Sequence, residues 1–115
     1  MNNRKIGSRY EDMAADYIKS QGLQIIEKNF YSKFGEIDII AIDLKQNMII
    51  FYEVKFRKNE RYGSPFEAVD YRKQQKIRKT AQYFLVTHRQ YAEYQVRFDV
   101  IGICGNHISC ILHAF

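Results

Sequence analysis

Two strand-forming runs joined by a short polar turn constrain this chain more than anything else in it. Phe34 to Asp43 contains "GEIDIIAID" and Met48 to Arg57 reads "MIIFYEVKFR". Branched and aromatic residues dominate both, and these types suit a pleated, half-buried surface. Only Leu44-Lys45-Gln46-Asn47 separates them, so the strands return antiparallel. A turn centred between Lys45 and Gln46 puts Asp38 opposite Glu53 and Glu36 opposite Lys55, although a bulge near Gly35 would shift that register by one. Side chains alternate along a strand. Glu53, Lys55 and Arg57 then share one face, while Val54 and Phe56 point to the other. Opposed residues have Cβ atoms about 5 Å apart, so two carboxylates and a lysine gather on one patch of an otherwise apolar pair of strands.

The rest of the chain reads as globular. Its 115 residues, 46% hydrophobic and 27% charged, suffice for one domain with a core of its own, here expected to span residues 1–115. No apolar run approaches the roughly 20 residues that cross a membrane. Met1-Asn2-Asn3-Arg4-Lys5 is not followed by the apolar stretch of a secretory signal, so the expectation is a cytoplasmic protein with no membrane partner. The net charge is +5, but from Lys55 to Lys79 there are nine basic and three acidic residues. A local excess of that size suits a polyanion such as nucleic acid; a solvated lysine-rich helix face is the plainer alternative.

Periodicity supplies the elements. Tyr10, Met13, Ala14, Tyr17 and Ile18 recur at helical spacing over residues 6–21, with Gly22 as the stop and Glu11 bordering the buried stripe. Leu23 to Tyr31 reads as a first strand. Ser64-Pro65-Phe66-Glu67 has the cap, proline and glutamate of a helix start, and a second start follows at Asp70. Ile77, Ala81, Phe84, Leu85 and His88 form the apolar stripe of that helix, and Lys73 extends it toward the N-terminus. Val96 to Ile103 and His107 to Leu112 are the last two strands. The order α-β-β-β-α-β-β describes an α/β sheet with helices packed on it. Cys104, His107, Cys110 and His113 resemble a metal site in spacing only. Around a Gly105-Asn106 turn, His107 and His113 share a strand face that Cys110 does not, so the four do not converge on a tetrahedral zinc.

Facing carboxylates repel, and a divalent cation would offset that. Hard oxygen ligands favour magnesium or manganese, and magnesium takes only one or two protein carboxylates. Lys55 beside it would orient an attacking water or stabilise charge on a phosphate, as in metal-assisted phosphodiester hydrolysis, with Glu11 completing the acidic cluster. The plainer reading is a Glu53–Lys55 surface pair worth about 0–1 kcal/mol. Arg57 reads as a phosphate contact, Lys73 as a DNA contact or a support for the site, and Lys76 and Lys79 as backbone contacts that make binding salt-dependent. Asp99 reads as structural, paired with Arg97 or capping a helix. The nine tyrosines would make a stacking platform for single strands only if several were exposed together, which periodicity does not show.

The motifs resemble one family. Glu11-x-x-Ala14, Gly35-Glu36-Ile37-Asp38-Ile39-Ile40, Glu53-Val54-Lys55-x-Arg57, Gly63-Ser64-Pro65, Ala68-Val69 with Lys73, and Arg97-Phe98-Asp99-Val100 occur in the order of the YraN family of small bacterial proteins, predicted to be nucleases. The resemblance covers most of the chain. It implies a restriction-endonuclease-like fold of the PD-(D/E)xK superfamily, a central mixed sheet flanked by helices, similar to archaeal Holliday-junction resolvases. It also implies roles: Asp38 and Glu53 bind magnesium or manganese, Lys55 is the catalytic lysine, and Glu11 is the helix-borne acid. Ile37 stands where the superfamily name has proline. The function implied is metal-dependent hydrolysis of DNA, branched or repair-related. A non-catalytic binding module with a relic site is the runner-up, and a subunit whose basic face docks an acidic protein comes third. Symmetric cutting of a junction would call for a homodimer, which no residue here demands.

Overall fold

A computed structural model describes residues 3–57 and 69–115, with side chains from Arg9 onward. Helix α1 (Asn3–Ser20) leads into strands β1 (Gln24–Ser32), β2 (Gly35–Asp43) and β3 (Met48–Arg57); helix α2 (Tyr71–Thr87) and a short 3-10 turn (Arg89–Tyr91) precede β4 (Gln95–Cys104) and β5 (His107–Ile111). The expected order is borne out, apart from the 3-10 turn, which local pattern did not announce. The Ser64–Glu67 helix start lies outside the described residues. Asp70 does cap α2: its carboxylate accepts the Lys73 amide at 2.9 Å, satisfying one of the orphan donors of the first turn.

The five strands form one sheet in the order β1-β2-β3-β4-β5. β3 and β4 run parallel and all other neighbours antiparallel, so the sheet is mixed. A parallel pair needs a crossover, and α2 provides it on one face. Ile37, Ile40, Ile42, Ile49 and Phe51 pack there against Ile77, Ala81 and Phe84 of α2. On the other face Ala14, Ala15 and Ile18 of α1 cover Ile39, Ala41, Ile50, Tyr52, Ile101 and Ile103. Alternation along strands buried on both faces explains why β2 and β3 read as nearly continuous apolar runs.

The register is the expected one from Asp43↔Met48 to Ile39↔Tyr52, and the ladder ends there. This corrects two expectations. Asp38 and Glu53 follow the last pair and are not ladder partners themselves, and Glu36 pairs with Tyr31 of β1, not with Lys55. Beyond that point the sheet forks. β2 continues with β1 to Gly35, and β3 continues with β4 to the Arg57↔Cys104 pair. Alternation slips at the fork: Ile37 and Ile40 face α2, whereas Ile39 faces α1. On β1 the matching irregularities are a register shift between Ile25 and Glu27 and a left-handed Asn29 at φ 53°.

A further correction falls at the chain end. β5 stops at Ile111 and His113 turns at φ 52°, so His107 and His113 do not share a strand face. The His113 amide instead donates to Asp99 at 3.1 Å and the Ala114 amide to the Phe98 carbonyl at 2.7 Å. Phe115 then stacks on Phe98, with the Arg78 guanidinium over both rings.

Candidate active site

The fork between β2 and β3 creates the site. Where the ladder ends, the Asp38 side chain takes over: its Oδ2 accepts the Val54 amide at 2.7 Å. That bond holds the carboxylate in the crotch of the fork beside Glu53. Glu53 follows Phe51 by two on the α2 face of β3. It is 5% exposed, and carboxylates are seldom so buried unless paired. Its Oε1 accepts Lys73 Nζ of α2 at 2.7 Å and Lys55 Nζ of the same strand at 3.3 Å. Lys73 reaches it because it lies four residues before buried Ile77, on the sheet-facing side of the helix.

Electrostatics follow from this packing. Burial, then the charge of Glu53, pushes the Asp38 carboxyl up from 3.8 to about 7; the Val54 amide pulls the other way, and Glu36 and Glu11 add smaller upward pushes. Two carboxyl groups that repel one another are thereby held together. The two lysines move in opposite directions. Burial and the neighbouring Lys73 ammonium lower the Lys55 pKa against the pull of Glu53. For Lys73 burial also opposes the charge, but its bonds to Glu53 and Lys55 outweigh it and the net shift is upward. Lys73 is therefore the firmly charged partner of Glu53, and Lys55 holds its proton more loosely.

The structure gathers Asp38, Glu53, Lys55 and Lys73. Glu11 lies at the margin, where its Oε2 accepts the Asn29 side-chain amide at 3.2 Å, close enough to perturb Asp38 but not within a shared ligand set. Among the described residues no three His, Cys, Asp or Glu side chains cluster as metal ligands, so the three-acid cluster expected from sequence reduces to a pair. A pair is still a donor set that suits magnesium, which fills its other positions with water and phosphate oxygens. Asp38, with its raised pKa, is the group a cation would relieve. Arg57 ends β3 on this side of the sheet, its Nη1 donating to the Phe56 carbonyl at 2.9 Å. Lys76 and Lys79 of α2 are exposed and do not enter the site. Phe56 turns the other way and stacks on Tyr10 of α1, ring centroids 4.2 Å apart.

Asn29 is the contributor that pattern reading missed. Its signal is an asparagine inside a strand run, the residue type besides glycine that most readily adopts a left-handed backbone. Asp99 has the structural place expected of it: fully buried on the α1 face, it accepts Arg97 Nε and Nη2, each at 2.9 Å.

A forked mixed sheet with helices on both faces and an Asp…Glu-x-Lys set at the fork is restriction-endonuclease-like, the class of fold the sequence motifs implied. Residues 10–103 match the family described as "Uncharacterised protein family UPF0102". A UPF0102 protein of Clostridium botulinum (strain 657 / Type Ba4) is 50% identical over 107 residues, 93% of this chain and 85% of its own. A UPF0102 protein of Fusobacterium nucleatum is 43% identical over 111 residues, 96% of this chain and 91% of its own. The chain belongs to the UPF0102 family, which is the YraN family of the motif resemblance.

Proposed function

We propose that this protein is a metal-dependent nuclease that hydrolyses phosphodiester bonds in DNA, with Asp38 and Glu53 holding magnesium or manganese. The observation that carries the reading is the carboxylate pair at the fork, half-buried Asp38 and buried Glu53, with Lys55 against Glu53 on the same strand. A bound divalent cation would supply Lewis acidity at the scissile phosphate and neutralise the pair. Lys55, whose pKa is held below its ordinary value by burial and the neighbouring Lys73, then orients the attacking water. Lys73 keeps Glu53 aimed into the site, and Glu11 with Asn29 bounds it on the α1 side. Arg57, Lys76 and Lys79 contact phosphates.

The test is cleavage of end-labelled linear, flapped and four-way-junction DNA in magnesium, manganese or EDTA, by wild type and Glu53→Ala side by side. Cleavage by wild type alone, and only with metal, is the expected result, and the preferred substrate identifies the structure recognised. One observation favours a second reading, a binding module with a relic site: Lys73 already supplies Glu53 with a cation at 2.7 Å. Equal DNA binding by both proteins with no cleavage by either would decide for it.

A further inference from the structure

α2 carries no acid. From Tyr71 to Ala92 the chain has Arg72, Lys73, Lys76, Arg78, Lys79 and Arg89 and no Asp or Glu. Arg72, Lys76, Lys79, Tyr83 and Val86 follow one another at spacings of four and three, which makes a single stripe along the helix. The stripe rises about 21 Å from end to end. It flanks the buried row Ile77, Ala81 and Phe84, with the Tyr83 ring 6.1 Å from that of Phe30, and is not solely basic. Tyr83 is 45% exposed and Val86 68%, large apolar groups on a helix whose buried side is already complete.

The turn between β1 and β2 supplies the other wall. Gly35 lies against α2, where a Cβ would meet Thr80 Oγ1 at 3.4 Å and Lys76 Cβ at 3.7 Å, on a backbone (φ 152°) that favours glycine. That approach sets Phe34 beside the stripe. Phe34, Lys79, Tyr83 and Val86 line one concavity, and Tyr71, Arg72, Lys76 and Lys79 line a second; the two share Lys79. Phe34 is 37% exposed and Tyr71 74%, with Lys33 Nζ 5.2 Å from the Phe34 ring centroid. Lys76 is three residues from Lys73, whose ammonium rests on Glu53. The track therefore leads along α2 to the site.

Alternating cations and exposed rings match a polymer with phosphates on one edge and accessible base faces on the other. A duplex has the phosphates but keeps its base faces stacked inside, which would leave Phe34, Tyr83 and Val86 against a charged backbone. A single strand offers both, since any base has a face to stack on an aromatic ring while lysines follow the phosphates. We infer that the groove formed by Phe34 and the Arg72–Val86 stripe of α2 binds a single-stranded segment of nucleic acid and guides it to the fork. The substrate class is thus a nucleic acid with a single-stranded arm beside the scissile phosphate, an assignment that builds on the nuclease reading above.

Binding is measured by fluorescence polarisation in EDTA, which removes metal and cleavage from the result. The probes are a labelled oligothymidylate of about 15 nucleotides, in the range such grooves occupy, and a blunt duplex of the same length. The proteins are wild type, Phe34→Ala, Tyr83→Ala, Tyr83→Phe and Lys79→Ala, each checked for native circular dichroism. The single strand binds wild type more tightly than the duplex does. Phe34→Ala and Tyr83→Ala each weaken single-strand binding about tenfold and leave the duplex within about twofold. Tyr83→Phe, which keeps the ring, binds as wild type does. Lys79→Ala weakens both probes. Equal affinity for the two probes overturns the inference, as does wild-type single-strand binding by folded Phe34→Ala and Tyr83→Ala. Failure to bind either probe also overturns it and leaves the face to a protein partner. Single-strand binding without cleavage under any metal keeps this inference and removes the nuclease, whereas cleavage indifferent to both aromatic variants does the reverse.

Discussion

Asp38 shows how one side chain turns a sheet into a site. A carboxylate that accepts a backbone amide is ordinarily held below its usual range. Here burial and Glu53 outweigh that bond and raise the group to about 7. The folded protein therefore binds this proton more tightly than the unfolded chain, whose value is near 3.8. Protons bound in excess by the native state mean that stability falls as pH rises. The loss begins at about pH 4, where the unfolded group ionises, and is complete somewhat above pH 7. In EDTA, the urea midpoint of wild type should thus decline across that window relative to Asp38→Asn. The asparagine Oδ1 still accepts the Val54 amide but carries no charge. Magnesium at alkaline pH should restore wild type and leave the variant unmoved. Parallel pH curves for the two proteins would show that the group is not perturbed. The residue types of this site were legible in the sequence, because carboxylates and a lysine stand out in apolar strands. Their arrangement was not. Counting by twos assumes a ladder that continues, and this one ends where Asp38 replaces a main-chain partner and Asn29 turns left-handed.

At the scale of elements, strand bounds were readable to within a residue or two. Runs of Ile, Val, Phe and Tyr both fill the two cores and mark where strands begin and end. Lys73 was also readable as facing the sheet, since its position relative to Ile77 is a matter of helical period. The chain end was not, because its path depends on a partner distant in sequence. β5 stops at Ile111 and the next residues fold back because Asp99 receives the His113 amide and Phe98 receives the Ala114 amide. Asp99 thus joins three things: the Arg97 guanidinium, its own strand and the C-terminal segment. It is fully buried, and the Arg97 side chain is 12% exposed. Removing one partner of such a pair leaves an uncompensated buried charge, which costs about 3–5 kcal/mol. Asp99→Ala should lose stability of that order in urea unfolding, with the end of the chain becoming protease-sensitive. Nucleic-acid affinity of the still-folded fraction should be unaffected, since neither Asp99 nor the segment it holds lines the groove of Phe34, Lys79, Tyr83 and Val86. A loss below about 1 kcal/mol would mean that solvent reaches Arg97 easily and that the pair is ornamental to the fold.

Across the whole molecule, the proposed chemistry and the proposed affinity sit on neighbouring but separable surfaces. Glu53 is buried and paired with two lysines, and half-buried Asp38 accepts the Val54 amide, so the fork adds little negative field outside. The cations of α2 are largely solvent-facing, and the +5 net charge is smaller than the basic excess concentrated around that helix. A polyanion should therefore be drawn to α2 first and reach Glu53 by way of Lys73. The two functions should come apart under substitution. Lys76→Gln with Lys79→Gln removes two exposed cations that touch neither Asp38 nor Glu53. Each phosphate contact contributes about 0.7 to the slope of log affinity against log salt for a single strand and about 0.9 for a duplex. The double variant should lower that slope by about 1.5 and raise KM for cleavage, with kcat at saturating DNA preserved. Glu53→Gln should do the opposite, abolishing cleavage while binding stays at wild-type strength or tightens as a buried negative charge disappears. Titrations of both variants over a salt series, paired with single-turnover cleavage at saturating protein, measure the two effects separately. If the lysine variant loses kcat as heavily as KM, then α2 positions the scissile phosphate as well as attracting the strand, and the boundary between groove and site drawn at Lys73 belongs at Lys76.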